Sequence, residues 1–161
     1  MPEAIYTIEP VRLVADIEAT AELFRAYASS LPIDLAYQDF ESELASLPGR
    51  YGPPTGELLM ARNGQGHPVG CVGLRQLDPT LCEMKRLYVS PQGRGLGLGK
   101  AFIAAIIEIA TKLGYQEMRL DTLSTMDAAI SLYQKAGFVE IPPYFETPLE
   151  DNIFMSRTLG V

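Results

Sequence analysis

Cysteine and histidine are scarce in this chain. Two cysteines, Cys71 and Cys82, and one histidine, His67, stand among 161 residues. Structural zinc usually takes four ligands of these types, and neither a CxxC pair nor a Cys/His cluster is present, so no metal centre is expected. Both cysteines lie in apolar, strand-like stretches and read as reduced core residues. Long apolar runs are missing as well: none approaches the roughly 18 residues of a membrane span. Bases are outnumbered by acids, 13 to 20, for a net charge of -7. That balance argues against a general nucleic-acid binder without excluding a local basic patch. The opening Met-Pro-Glu-Ala-Ile-Tyr has no basic stretch followed by an apolar run, so no secretory leader is read there. The expectation is a cytoplasmic protein, monomer or homodimer, with neither membrane nor nucleic acid as partner.

What is present is a core. Apolar residues make up 47% and charged residues 20% of the chain, enough to bury one hydrophobic interior, so residues 1–161 read as a single domain. Residues 4–9 alternate as a first strand. Asp16 reads as the N-cap of a helix carrying Ile17, Ala21, Phe24 and Ala28, which Pro32 stops. A short helix fits residues 39–47, and the Pro/Gly-rich residues 48–56 read as a stiff, irregular loop. Three strands, near 57–62, 69–77 and 82–89, are separated by turn signals and form an antiparallel meander. His67 falls in one of those turns and reads as solvent-exposed. With the second turn centred near residue 79, Cys71 faces about position 87, too far from Cys82 to bridge. A long helix follows to Leu113, with Phe102, Ile106, Ile109 and Leu113 on its inner stripe and Gly114 closing it. Then come a strand at 117–122, a helix at 126–136 begun by Ser124 or Thr125, and strands at 138–141 and 152–158. The class is mixed α+β, in α/β/α layers, with about four helices flanking one sheet.

The most informative segment is the bend from Pro91 to Lys100. A strand feeds four alternating glycines, Gly93, Gly95, Gly97 and Gly99, and the bend opens a helix. Glycine lets backbone N–H groups approach a ligand, and a helix N-terminus adds unpaired N–H groups and a positive dipole end. Together they form a cradle suited to phosphate. A P-loop would need glycine where Arg94 stands and a hydroxyl where Ala101 stands. The dinucleotide pattern GxGxxG fails at Leu98 and Lys100, and the preceding strand belongs to a meander.

Gln92-x-x-Gly95-x-Gly97 does match a pattern. It resembles the coenzyme A pyrophosphate motif of the Gcn5-related N-acetyltransferase (GNAT) superfamily. Residues 83–89 are similar to that family's fourth strand, and residues 129–138 to its late helix and following strand. The element order agrees along nearly the whole chain. The resemblance implies a mostly antiparallel sheet splayed between strands 4 and 5, with acetyl-CoA as cosubstrate entering the gap. It implies that Leu87, Tyr88 and Val89 pair with the pantetheine arm. Arg94, Gly95, Leu96, Gly97, Leu98, Gly99 and Lys100 would hold the pyrophosphate, and Gln92 would support the bend.

The implied reaction is transfer of an acetyl group to a primary amine, of a small molecule or a peptide, by direct attack within a ternary complex. It calls for an oxyanion donor, placed at main-chain N–H groups near Leu87 to Val89, a general base and a general acid. The resemblance makes Tyr133 the acid facing the CoA sulfur; the alternative is a core tyrosine. It makes Glu83 a candidate base; the alternatives are a surface carboxylate paired with Lys85, or a water relay. Many members carry an Asn at the start of the late helix, where Met126 stands. A non-catalytic acyl-CoA-binding or regulatory module on the same scaffold is the alternative function. For the acceptor, Asp34, Asp39, Glu41, Glu43, Glu146, Glu150 and Asp151 would suit a cationic amine or form a solvated surface. Tyr144 and Phe145 could wall the groove or close the core, and Arg50 could bind a carboxylate.

Overall fold

The computed structural model describes residues 5–35 and 39–160. Along the chain run β1 (Tyr6–Pro10), α1 (Val14–Ser30), α2 (Phe40–Ala45), β2 (Glu57–Asn63), β3 (Pro68–Asp78), β4 (Leu81–Val89), α3 (Leu98–Lys112), β5 (Glu117–Leu123), α4 (Asp127–Lys135), β6 (Val139–Ile141) and β7 (Asn152–Thr158). This is the mixed α+β order read from periodicity. The seven strands form one sheet in the order β1-β2-β3-β4-β5-β7-β6. Every neighbouring pair is antiparallel except β4 and β5.

Successive strand residues point to opposite faces, so a sheet covered on both sides needs apolar residues in unbroken runs. β2 shows this. Leu58 and Met60 enter a core with Phe24 of α1 and Phe40 of α2, while Leu59 and Ala61 enter a second core with Phe102 and Ile106 of α3. Burial of each such large side chain is worth about 1.5–3 kcal/mol.

Several ends differ from the sequence reading. α1 starts at Val14 with Leu13 at its cap position; Asp16 lies in the first turn, and its carboxylate takes the Arg62 guanidinium at 2.8 Å instead of capping. α2 is shorter than expected at both ends: Asp39, its N-cap, has a left-handed φ of 57°, and Ser46, its C-cap, leaves helical backbone at φ -107° and ψ 7°. Residues 49–51 of the expected irregular loop make one 3-10 turn. Leu113 is 44% exposed: it is the cap of α3, past the inner stripe. Neither Ser124 nor Thr125 caps α4; the Met126 N–H bonds to the Leu123 carbonyl. Ala4 of the expected first strand lies outside the described residues. His67 is exposed in the β2–β3 turn, as expected.

Two irregularities in β4 position the site. First, β4 and β5 pair only through Leu81–Glu117, Cys82–Met118 and Glu83–Arg119. Past those three pairs the strands part, so the second half of β4 has β3 on one side and a gap on the other. Second, β4 carries a bulge. Gly73 faces Lys85, but Cys71 faces Tyr88, so two steps along β3 match three along β4. The extra residue falls at Arg86, whose φ is 60°. The expectation that Cys71 faces position 87 missed by one residue, and that residue is the bulge. Such a bulge interrupts the in-and-out alternation and the ladder. Here Met84 and Leu87 both join the α3-side core, while Arg86 meets Glu43 and Phe40 of α2 on the other face.

Candidate active site

A cavity of about 300 Å³ runs through the gap. On the α3 and α4 face it is lined by Arg94, Gly99, Ala129, Leu132 and Tyr133. Between the strands it is lined by residues 84–89 of β4 and 120–123 of β5. On the opposite face it reaches Tyr27 and Ser30 of α1, its cap residue Leu31, and Ile33 and Leu35 beyond.

The glycine bend closes the first end. Gly95 and Gly97 have φ of 81° and 76°, and an added Cβ would meet nothing within 4 Å. Glycine is required there by backbone conformation, not by space. Gly93 and Gly99 serve packing instead: a Cβ would strike the Val69 carbonyl at 2.8 Å and the Leu132 side chain at 2.9 Å. From Gly95 to Lys100 the backbone N–H groups donate to no backbone carbonyl among the described residues; the first helical bond is Ala101 N–H to Gly97 O, 3.1 Å. Six consecutive orphan donors at the start of a 15-residue helix make an anion cradle that fits a pyrophosphate.

Of the residues read as cofactor contacts, Leu87, Tyr88, Val89, Arg94, Gly99 and Tyr133 line the cavity. Gln92, Gly95, Leu96, Gly97 and Lys100 lie on the bend outside it, and Leu98 packs in the core at 1% exposure. The Leu98 side chain is therefore structural, and what it leaves to the cradle is its N–H, which donates to no backbone carbonyl among the described residues.

Tyr133 of α4 is buried, with its ring edge-on to Phe138 at 6.0 Å. Its hydroxyl makes no hydrogen bond among the described residues, and burial first, then the nearby Tyr27 and Asp121, push its ionisation upward. The phenol is thus held protonated, as a proton donor must be.

Glu83 is 1% exposed and does not line this cavity. One oxygen takes the Arg75 guanidinium at 2.7 Å, and the other takes the Tyr144 hydroxyl at 2.5 Å. Burial alone would push its carboxyl up; the charges of Lys85 and Arg75, with those hydrogen bonds, hold it below the ordinary value. Its direct partner is Arg75 rather than Lys85.

Lys85 turns to Asp121 across the mouth of the gap, 3.6 Å away. Burial pushes its ammonium down against the pull of Asp121 and Glu83. Asp121 accepts from Asn152 Nδ2 at 3.2 Å, and that nitrogen also donates to the Thr122 carbonyl at 3.1 Å. Both partners are acceptors only, which fixes the amide orientation and leaves Asn152 Oδ1 buried without a partner among the described residues. Lys85, Asp121, Asn152, Tyr27 and Met126 all line the cavity; the sequence offered Lys85 only as a partner of Glu83 and Met126 only as a departure from the family pattern, and missed Asp121, Asn152 and Tyr27. The one available signal was register: two pairs beyond Glu83–Arg119 in a parallel ladder, position 85 would meet position 121.

The family model for the acetyltransferase (GNAT) family matches residues 17–138. The chain belongs to the GNAT family. An uncharacterised N-acetyltransferase of Schizosaccharomyces pombe is 40% identical over 150 residues, covering 92% of each chain. The crystal structure of a GNAT-family acetyltransferase from Staphylococcus aureus superimposes with a TM-score of 0.79, at 24% identity, over 96% of this chain and 99% of that one. A phosphinothricin acetyltransferase from Sinorhizobium meliloti, solved with acetyl-CoA, does so at 0.72 and 21% identity, over 97% and 89%. This GNAT protein is an acetyl-CoA-dependent N-acetyltransferase, and the splayed sheet and bend are the parts of it that the motif implied.

On the acceptor side the structure separates the alternatives that the sequence left open. None of Asp34, Asp39, Glu41, Glu43, Glu146, Glu150 and Asp151 lines the cavity. Glu43 grips Arg86 through both oxygens at 2.9 and 3.0 Å and receives the Tyr51 hydroxyl at 3.1 Å. Arg50 donates to the Gln76 carbonyl at 2.7 Å and lines a separate hollow with Glu43 and Arg75. Tyr144 and Phe145 meet Phe154 edge-to-face, with Arg119 over the Tyr144 ring, and close the sheet face. Among the described residues no group of three or more His, Cys, Asp or Glu could hold a metal ion, and no helix is long and apolar enough to cross a membrane.

Proposed function

We propose that this protein transfers the acetyl group of acetyl-CoA to a primary amine by direct attack in a ternary complex, with Asp121 and Asn152 seating the amine and Tyr133 protonating the leaving thiolate. The carrying observation is that one cavity, closed at one end by the bend with its orphan N–H groups, reaches a carboxylate, an amide oxygen unpartnered among the described residues and a protonated phenol at the gap. Acetyl-CoA supplies the thioester. The bend holds its pyrophosphate, and Arg94 and Lys100 add charge to that hold. Leu87, Tyr88 and Val89 offer strand-edge groups to its arm, while the interrupted ladder at Arg86 turns main-chain N–H groups toward a developing oxyanion. Asp121 accepts the proton that the ammonium must shed, and Asn152 Oδ1 accepts a second N–H. Glu83, read from the sequence as the base, has both oxygens engaged away from the cavity; in this reading it anchors Arg75 and Tyr144 behind the site. The chain works as one domain over residues 1–161, in the cytoplasm, where its two buried thiols stay reduced.

The test is release of CoA thiol from acetyl-CoA in the presence of a panel of primary amines. Tyr133→Phe keeps the ring packing and removes the proton donor. It is expected to lower kcat by about 10- to 1,000-fold while changing acetyl-CoA affinity much less. An unchanged kcat, measured where chemistry limits the rate, removes Tyr133 from the mechanism.

A further inference from the structure

We infer that the acceptor is a primary amine on an uncharged, apolar body. This rests on the transfer activity proposed above and names its substrate class. The cavity crosses the sheet, and its cofactor end lies on the α3 and α4 side, so the acceptor reaches the gap from the α1 side. The walls there are Tyr27, Leu31, Ile33, Leu35 and Tyr88, with the two tyrosine rings edge-to-face at 6.2 Å. Leu35 is 4% exposed.

Among the described residues, three charged side chains line this part of the cavity, and each is engaged. Arg86, 2% exposed at its side chain, is spent on Glu43. Lys85 and Asp121 face each other across the gap. The amine is seated by the Asn152 amide oxygen beside Asp121, which already faces Lys85, and among the described residues the wall outward from it has no counter-charge for a second cation or for a carboxylate. A charged far end would lose its water to an apolar surface without recompense, whereas an alkyl or aryl body gains by burial. The whole cavity holds about 300 Å³, part of it taken by the acetyl arm, so the body is small.

Three acceptors of equal chain length isolate the far end: hexylamine, 1,6-diaminohexane and 6-aminohexanoate, assayed with saturating acetyl-CoA. Hexylamine is expected to exceed the other two in kcat/KM by about tenfold or more. Ser30→Asp places a carboxylate at the exposed outer end of the cavity without touching the core. It should shift the diaminohexane-to-hexylamine ratio about tenfold toward the diamine, with the KM for acetyl-CoA unmoved. A wild-type preference for the diamine or the amino acid overturns the inference and leaves the transfer activity standing. So does an enzyme inert to hexylamine but active on a polyamine or an acidic amino acid. If acetyl-CoA binds by calorimetry but no amine in the wider panel releases thiol, the activity itself falls, and the inference with it.

Discussion

At one end of the cavity the binding groups are backbone N–H groups supplied by consecutive residues, Gly95 to Lys100. At the other they are side chains brought together from α1, β4, β5 and β7. A main-chain site depends on φ values and a helix start, both of which glycine spacing announces locally. A side-chain site depends on which strands part, where a bulge falls, and which charges are already paired. The two ends should therefore fail differently. Damage to the bend should remove cofactor affinity and spare the acceptor wall, and damage at the gap should remove turnover and spare cofactor affinity.

Asp121→Asn tests the gap most severely. The amide keeps the shape and the contact to Asn152 but cannot take a proton. It also leaves Lys85 without its facing charge. A drop in kcat of about 100- to 10,000-fold is expected, with the acetyl-CoA dissociation constant within about threefold of wild type. Equal losses in kcat and in acetyl-CoA affinity would show that the ends are not separable. The second test strikes the bend. Gly97→Asp forces a Cβ onto a left-handed φ, at about 1–2 kcal/mol, and puts a carboxylate where a pyrophosphate is held. Acetyl-CoA affinity should fall by about 100-fold or more by calorimetry. The melting temperature should move only a few degrees, because an added Cβ meets nothing within 4 Å.

The two ends were unequally legible. The element order, the meander and the anion cradle follow from periodicity, turn residues and glycine spacing, whereas the splay came only from the family resemblance. The first three were readable because each is set within ten or so residues. Tyr133 was reached through the family pattern of its helix. Lys85, Asp121 and Asn152 were not reached as a group. Their meeting depends on the register of β5 against β4 and of β7 against β5, and on Arg86 interrupting β4, none of which a single segment encodes. The acids, read as a groove wall or a solvated surface, stayed undecided for a related reason. Charge on a segment says nothing of its partner, and Glu43 had already met Arg86.

Glu83 sits between the two ends in kind, since the sequence drew attention to it while its surroundings changed its part. If it anchors, Glu83→Gln should lower kcat by less than about tenfold, below the usual contribution of a general base, and should lower stability instead. The pH dependence carries the sign. The folded state holds its carboxyl below the unfolded value, so its contribution is present above that value and disappears as pH falls through the folded one. Wild type should lose stability on acidification below about pH 4.5, in a chemical-denaturation series, more steeply than Glu83→Gln. A kcat loss of a thousandfold with unchanged acid stability would restore Glu83 as the base.

The smallest effects belong to groups at neither end. Cys71 and Cys82 are fully buried and do not line the cavity. Cys71 lies opposite Tyr88 on one face of the sheet; Cys82 packs in the α3-side core. Burial pushes both thiols up, Cys82 to about 12, so neither forms a nucleophilic thiolate at neutral pH. Direct attack by the amine needs no acyl-enzyme, so the Cys71→Ala, Cys82→Ala double variant should keep kcat within about twofold. Its stability should fall by about 1 kcal/mol per removed sulfur, the order of cost for a small void in a packed interior. Thiol titration should count two slow groups in the folded protein and two fast ones after denaturation. An acetylated cysteine that goes on to transfer its acetyl group to an amine would replace direct attack with a covalent route, and the gap would then need a nucleophile where it now holds a carboxylate and a phenol.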